Sequence, residues 1–279
     1  MERWLLGMNS LTTLARELGV SRKTLSQRFS RIIKINRIKL KPLFKNLILV
    51  IDGTAISSDR ILLVVYELLS DQPLTWVFVS RECFYGWFRL LSNIKKKYQA
   101  TAIVSDGQKG LIKAINMLFP GIPHQRCIAH IVRRACAWLT LRPKTEAGIE
   151  LRQHILKLKN IKSIKEAMVW KNYFVVWEEK YYEFLKEKSV NFLTGKTWFT
   201  HRKVRSVRSL IKNALLDMFW YTNNSNIPNT TNTVEGGINS PLSELLRRHR
   251  GITRKQKEAL VTRFLYSRRR TRLSTRKVT

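Results

Sequence analysis

At Asn46 the hydrophobic period of the chain changes from helical to extended, and that change limits what the remainder can fold into. Leu47–Ile51, Ile61–Tyr66 and Thr75–Val79 are three runs rich in β-branched and aromatic residues. Short polar turns separate them, Ser57-Ser58-Asp59 and Ser70-Asp71-Gln72-Pro73, which predicts an antiparallel meander. A helix over Trp87–Tyr98, a strand at Thr101–Val104, an amphipathic helix over Lys109–Phe119 and a short strand at Gln125–Ile128 follow. Pro120-Gly121 stops the second helix.

Two acids fall at informative points of this pattern. Asp52 ends the run Leu47–Ile51, and Asp106 ends the run from Ala102 to Ser105, although the chain has only five aspartates. A carboxylate at the end of a buried strand is costly unless it is paired, hydrogen-bonded or bound to a cation. Glu235 lies far downstream in Asn232-Thr233-Val234-Glu235-Gly236-Gly237-Ile238-Asn239. Two carboxylates on strand ends with a third from a helix make an oxygen cage suited to Mg²⁺ (or Mn²⁺) and to two-metal chemistry on phosphates. Gly107 and Gly110 allow close approach of backbone to phosphate, and Lys109 adds charge. Gly236-Gly237 and Pro241 oppose a regular helix around Glu235. Either Pro241 kinks that helix, or the helix proper starts at Ser240.

The element order is that of an α/β ribonuclease H-like core, which places acids on its first strand, after its fourth and on a later helix. Residues from about 131 to 229 do not fit such a core. Their period is mainly helical, and they contain Trp138, Trp170, Trp177, Trp198 and Trp220, so they read as an all-α insertion with tryptophans mostly in its core. The organisation expected is an N-terminal module at 1–34, a basic linker and a catalytic domain over 46–279. From Arg247 the tail carries thirteen Lys or Arg against Glu258 alone, with Leu260, Val261, Phe264 and Leu265 on one helical face before it frays near Arg268.

The N-terminal module reads as a helix-turn-helix. Leu11, Leu14, Ala15 and Leu18 recur at helical spacing, Gly19 supplies the turn, and Ser21 caps the next helix. Leu25, Phe29 and Ile32 then point inward, leaving Arg22, Lys23, Ser26, Gln27 and Arg28 outward as DNA-binding groups. Composition supports a polyanionic partner: 52 Lys+Arg against 19 Asp+Glu give a net charge of +33. No apolar stretch approaches a membrane span, and the first residues do not form a signal peptide. Cys83, Cys127 and Cys136 are too few and scattered for a disulfide framework, which fits a reducing intracellular compartment. Cys127 and His130 are read as a packed thiol and a hydrogen-bonding imidazole near the active site, because a zinc site would need two further ligands.

Ser105-Asp106-Gly107 through Phe119-Pro120, with Gln125-Arg126-Cys127-Ile128-Ala129-His130, resembles the second-aspartate block of Mutator-superfamily DDE transposases of bacterial insertion sequences. Thr230 to Glu235 followed by Asn239 resembles their third-acid block, and Pro241 departs from it. The resemblance implies an enzyme that binds the terminal inverted repeats of a mobile element and cleaves phosphodiester bonds. It then joins the 3′ ends to target DNA. Asp52, Asp106 and Glu235 would be both its metal ligands and its catalytic acids. The resemblance also implies a homo-oligomer on double-stranded DNA and a location at the bacterial nucleoid. Two rival readings stay open at this stage: an inactive helix-turn-helix DNA-binding protein derived from a transposase, and a ribonuclease H-fold nuclease or resolvase.

Overall fold

The computed structural model describes residues 9–32, 46–249 and 252–275. The basic linker expected between Lys34 and Lys45 lies outside the described residues. The fold is mixed α/β, and its main sheet has the strand order β3-β2-β1-β4-β5. These strands are β1 (Asn46–Ser57), β2 (Arg60–Glu67), β3 (Gln72–Val79), β4 (Gln99–Ser105) and β5 (His124–Arg126). β1 and β2 pair antiparallel, as do β2 and β3, which is the expected meander; β4 and β5 pair parallel.

By compactness the chain divides into two units. The first comprises Met1–Thr101, Lys109–Ile122 and Asn232–Thr279; the second comprises Ala102–Gln108 and Pro123–Thr231.

Within the first unit, α1 (Leu11–Glu17) and α2 (Arg22–Ile32) pack through Leu14, Ala15, Leu25 and Phe29, all buried. Ser10 caps α1 by accepting from the Thr13 amide at 3.0 Å, and Gly19 takes φ +64 in the turn. Leu18 falls beyond the end of α1 and is 61% exposed, so it does not join the stripe expected of it. β1 is buried along its N-terminal half, where it lies between two other strands of the sheet. β3 begins at Gln72 rather than Thr75. It accepts Pro73 because it lies at the sheet edge, where a missing N–H costs no ladder bond.

Helices α3 (Phe84–Lys95) and α4 (Lys109–Leu118) pack on each other. Trp87, Leu90, Leu91 and Ile94 are buried on the first, and Leu111, Ala114, Ile115 and Leu118 on the second. After the short helical turn α10 (Asn232–Val234), the segment Glu235–Asn239 is a π-helix that runs into α11 (Ser240–Arg248). Pro241 sits in the first turn of α11, directly after the π-helix. The last helix, α12 (Arg254–Thr275), covers β3, with Leu260, Val261, Phe264 and Leu265 buried. Arg60 donates to Glu258 at 2.8 Å, and Trp76 meets the edge of Tyr266. The helix continues past Arg268, where fraying was expected, to Thr275.

The second unit is helical for most of its length. It contains α5 (Ile128–Leu139), α6 (Glu146–Leu156), α7 (Ile164–Lys180), α8 (Tyr182–Lys186) and α9 (Arg202–Lys212). Its core joins Ile131, Ala135, Leu151, Phe174, Val207 and Ile211. Trp170 and Trp177 are buried there, while Trp198 and Trp220 are partly exposed. The expected all-α insertion needs correction. A two-stranded hairpin, β6 (Lys188–Val190) and β7 (Thr197–Phe199), interrupts it. Three-residue strands are too short to show a period of two. The strand expected at Gln125–Ile128 also shifts, because Cys127 N-caps α5 and Ile128 begins that helix.

Candidate active site

Asp52 lies inside β1, not at its end, because Gly53, Thr54 and Ala55 continue the ladder opposite Leu63, Leu62 and Ile61. Its carboxylate is buried, at 5% exposure. The Asn239 side-chain amide donates to Asp52 Oδ2 at 2.6 Å, so the π-helix delivers its last residue to the first acid of the same unit. Glu235 opens that π-helix and is half-buried. A π turn fits one extra residue into the helix, and Gly236 and Gly237 present no Cβ clash to it.

The oxygen of the Asn239 side-chain amide, Oδ1, is buried with no hydrogen-bond partner among the described residues. Turning the amide over would aim that oxygen at the Asp52 carboxylate, so the orientation is fixed by repulsion. An orphaned amide oxygen beside a buried carboxylate is a pair of hard oxygen donors. This donor set fits Mg²⁺ or Mn²⁺ and does not suit a soft metal. Sequence reasoning gave no role to two residues here. Asn239 is one. Glu82 is the other: it packs its carboxylate against Gly53, where an added Cβ would meet Oε1 at 3.0 Å. Glu82 also accepts from Trp87 Nε1 at 3.0 Å. The turn Ser80-Arg81-Glu82 carried no strand or helix signal that would single it out.

In the second unit Asp106 directly follows β4. It accepts from the Gln108 amide at 3.1 Å, an Asx-type bond that turns the chain. The buried Arg126 of β5 lies beside it. An added Cβ at Gly107 would overlap Arg126 Nη2 and come within 3.0 Å of Cζ, so the guanidinium rests on the glycine backbone. Burial pulls the Arg126 guanidinium below its ordinary value, and the carboxylates of Asp106 and Asp217 push back. Burial raises the Asp217 carboxyl, and Arg126 partly offsets that. Arg126 was quoted within a motif but not recognised as a site residue. The signal available was an arginine within the short strand expected at Gln125–Ile128.

Beneath these residues His124 bonds Ser105 Oγ through Nε2 at 2.7 Å, while the Ser105 hydroxyl donates to the Asp106 carbonyl at 3.0 Å. Burial, reinforced by Arg126, pushes His124 down to about 3, so the ring is neutral. Gln125 ties β5 to the far end of the unit: its Nε2 donates to the Arg126 and Met218 carbonyls, and its Oε1 accepts from the Tyr221 amide.

Cys127 is buried and His130 half-buried, one turn apart at the start of α5. The Thr231 amide and hydroxyl both lie against Cys127 Sγ, at 3.3 and 3.4 Å, and that hydroxyl is 3.5 Å from His130 Nδ1. Burial raises the Cys127 thiol, but hydrogen bonds from His130 and Thr231 outweigh it, and the net shift is downward. All three cysteines are free thiols.

The side chains expected to meet DNA occupy several places. Arg22, Lys23, Gln27 and Arg28 are exposed on α2 and Ser26 is half-buried, opposite the buried Leu25 and Phe29. Lys109 is exposed at the first position of α4. No helix among the described residues is long and apolar enough to cross a membrane.

Comparison with known proteins agrees with the motif reading. The chain is 28% identical over 113 residues to the transposase for insertion sequence element IS905 of Lactococcus lactis subsp. lactis (strain IL1403). That match covers 39% of this chain and 28% of the relative, so the chain spans well under two thirds of that protein's length. The family model for the Mutator family of transposases matches residues 74–217, a stretch that contains Asp106, Arg126, Cys127 and His130. With more than half of its length matched, this chain belongs to the Mutator family of transposases.

Proposed function

We propose that the protein is a metal-dependent DNA transposase that cleaves at the ends of a mobile element and joins the 3′ ends to target DNA. The observation that carries this reading is the buried Asp52 carboxylate held beside the orphaned Asn239 oxygen. A buried carboxylate beside an orphaned amide oxygen offers hard oxygen donors of the kind a divalent cation takes. In this reading Asp52, Asp106 and Glu235 are the three catalytic acids. The five-stranded order supports a ribonuclease H-like core, in which β1 and β4 are sheet neighbours. A cation bound there supplies charge neutralisation for in-line displacement at a phosphodiester.

The chain's own residues do the positioning. Asn239 orients Asp52 through its amide hydrogen and leaves its oxygen for the cation. The buried Arg126 guanidinium stands beside Asp106 and limits how far that carboxylate can swing. The α1–α2 pair acts as a helix-turn-helix that recognises the inverted repeats, with Arg22, Lys23, Ser26, Gln27 and Arg28 facing the groove or its phosphates. Lys109 takes a phosphate, and the +33 surplus draws double-stranded DNA to the protein. The enzyme works as a homo-oligomer on two element ends, inside the cell.

The test uses a supercoiled plasmid carrying the DNA that flanks the coding sequence. Asp52→Asn, Asp106→Asn and Glu235→Gln are each expected to abolish Mg²⁺-dependent cleavage and strand transfer while the plasmid is still bound. Cleavage that survives all three substitutions, or that persists in chelator, refutes the assignment. Cleavage without joining identifies a nuclease or resolvase, and binding without cleavage by the unaltered protein identifies an inactive DNA-binding relative.

A further inference from the structure

The hairpin β6–β7 ends in two large apolar side chains with no cover. Phe192 and Leu193 are each 97% exposed. The backbone around them is nevertheless built firmly. Asn191 Oδ1 accepts from the Leu193 and Thr194 amides at 2.9 and 3.2 Å, an Asx turn. The Asn191 amide bonds the Lys196 carbonyl at 2.9 Å, the Gly195 amide bonds the Asn191 carbonyl at 2.8 Å, and Gly195 takes φ +64 to close the loop. At the base, Ser189 and Thr200 share a hydroxyl bond at 2.8 Å, and His201 bonds Glu187 while stacking on Phe184. The turn holds the tip out, since the Asn191 loop closure and the ties at Ser189–Thr200 and Glu187–His201 fix the hairpin at both ends.

The electrostatic surroundings name the partner. From Lys188 to Leu216 the chain has seven Lys or Arg and no Asp or Glu. Lys188, Lys196, Arg202 and Lys203 are exposed around the hairpin. Arg202 lies over Trp198 and Lys188 over Phe199, so the aromatics near the base have cationic cover. An apolar tip flanked by exposed Lys188, Lys196, Arg202 and Lys203, with Glu187 engaged by His201 at the base, fits a polyanion with apolar faces. Unstacked nucleic-acid bases have that chemistry, and apolar wedges between base steps with Lys or Arg on the flanking phosphates are a general way to hold distorted DNA.

We propose that Phe192 and Leu193 form a wedge that inserts into an unpaired or unstacked step of bound DNA, while Lys188, Lys196, Arg202 and Lys203 grip the adjoining phosphates. This rests on the reading of DNA as the partner.

The test compares two short duplexes of one arbitrary sequence, one fully paired and one with a small central bulge, at constant salt. The unaltered protein is expected to prefer the bulged duplex by about tenfold, the scale of a single base–aromatic stack. Phe192→Ala/Leu193→Ala is expected to erase that preference without changing affinity for the paired duplex, and Phe192→Trp to keep it. Lys196→Gln/Arg202→Gln is expected to weaken both duplexes. An unaltered protein that binds both duplexes equally, or a double-alanine variant that retains the preference, overturns the wedge and leaves DNA as the partner. A double-alanine variant that changes oligomeric mass assigns the tip to contact between copies and also overturns it. Failure of the unaltered protein to bind either duplex removes both the wedge and the reading beneath it.

Discussion

Gly107→Ala tests how tightly the second acid is held. Gly107 does not use a left-handed backbone, so alanine meets no dihedral penalty and the constraint is space alone. The new methyl would overlap Arg126 Nη2 and sit 3.0 Å from Cζ. The end of an arginine can normally swing aside at little cost. Here the residue is 3% exposed, with its Nε already unpartnered among the described residues and carboxylates of Asp106 and Asp217 beside it. Displacement therefore costs core overpacking, about 1–3 kcal/mol. Loss of the charge's partners raises the total towards the roughly 3–5 kcal/mol typical of a broken buried pair. We expect a loss of about 2–4 kcal/mol on these scales, read from the urea midpoint of tryptophan fluorescence. Cleavage is expected to fall while DNA binding holds. Arg126→Met supplies the control: in that background the added methyl has room, so the double-mutant cycle should show about 1–3 kcal/mol of coupling. Gly107→Ala with an unchanged midpoint, or a cycle that is simply additive, would refute the argument that Arg126 fills this space.

Two further outcomes follow from particular side chains. Burial holds His124 at about 3, and burial, with Lys157 adding to it, holds His154 at about 4, both below the ordinary 6.5. The unfolded chain therefore binds protons that the folded one refuses, so stability is full above about pH 6.5 and falls as pH drops towards 3–4, by roughly 2 kcal/mol per histidine at pH 5. His154→Phe preserves the ring stack on Trp170 and should flatten the slope; equal denaturant midpoints at pH 7 and pH 5 in the unaltered protein would contradict it. For α2, Gln27→Ala is expected to relax preference at about one base pair, by roughly 1–3 kcal/mol for a bidentate contact, while Arg22→Ala weakens all sequences alike. Selection from randomised duplexes reads both, and unchanged selectivity in the Gln27 variant would place end recognition elsewhere.

Elements whose hydrophobic period outlasts a few residues were legible in the sequence. β1, β2, α4 and α12 follow from runs of buried apolar residues, and the apolar face Leu260-Val261-Phe264-Leu265 is buried as read. Ends were less legible. Asp52 looked like a terminus because the apolar run stops there. The strand continues because Thr54 and Ala55 still have partners on β2, and pairing is a property of two segments. Ile128 looked like strand and is helix, since one apolar residue carries no period. The β6–β7 hairpin was missed for the same reason.

The site itself shows a sharper division. Carboxylates are rare enough in this chain to stand out, but the groups that hold them are common residue types distant in sequence. Asn239 reaches Asp52 across 187 positions, and only the π turn, with its two glycines and Pro241 just inside the following helix, brings it there. Gly236, Gly237 and Pro241 looked like arguments against a helix at Glu235. They are better understood as the local cost of aiming two side chains of one short segment, since an ordinary α turn would rotate Asn239 relative to Glu235 by one residue's worth of arc. Where a sequence breaks its own helical pattern beside an acid, the break is evidence about what that acid must face.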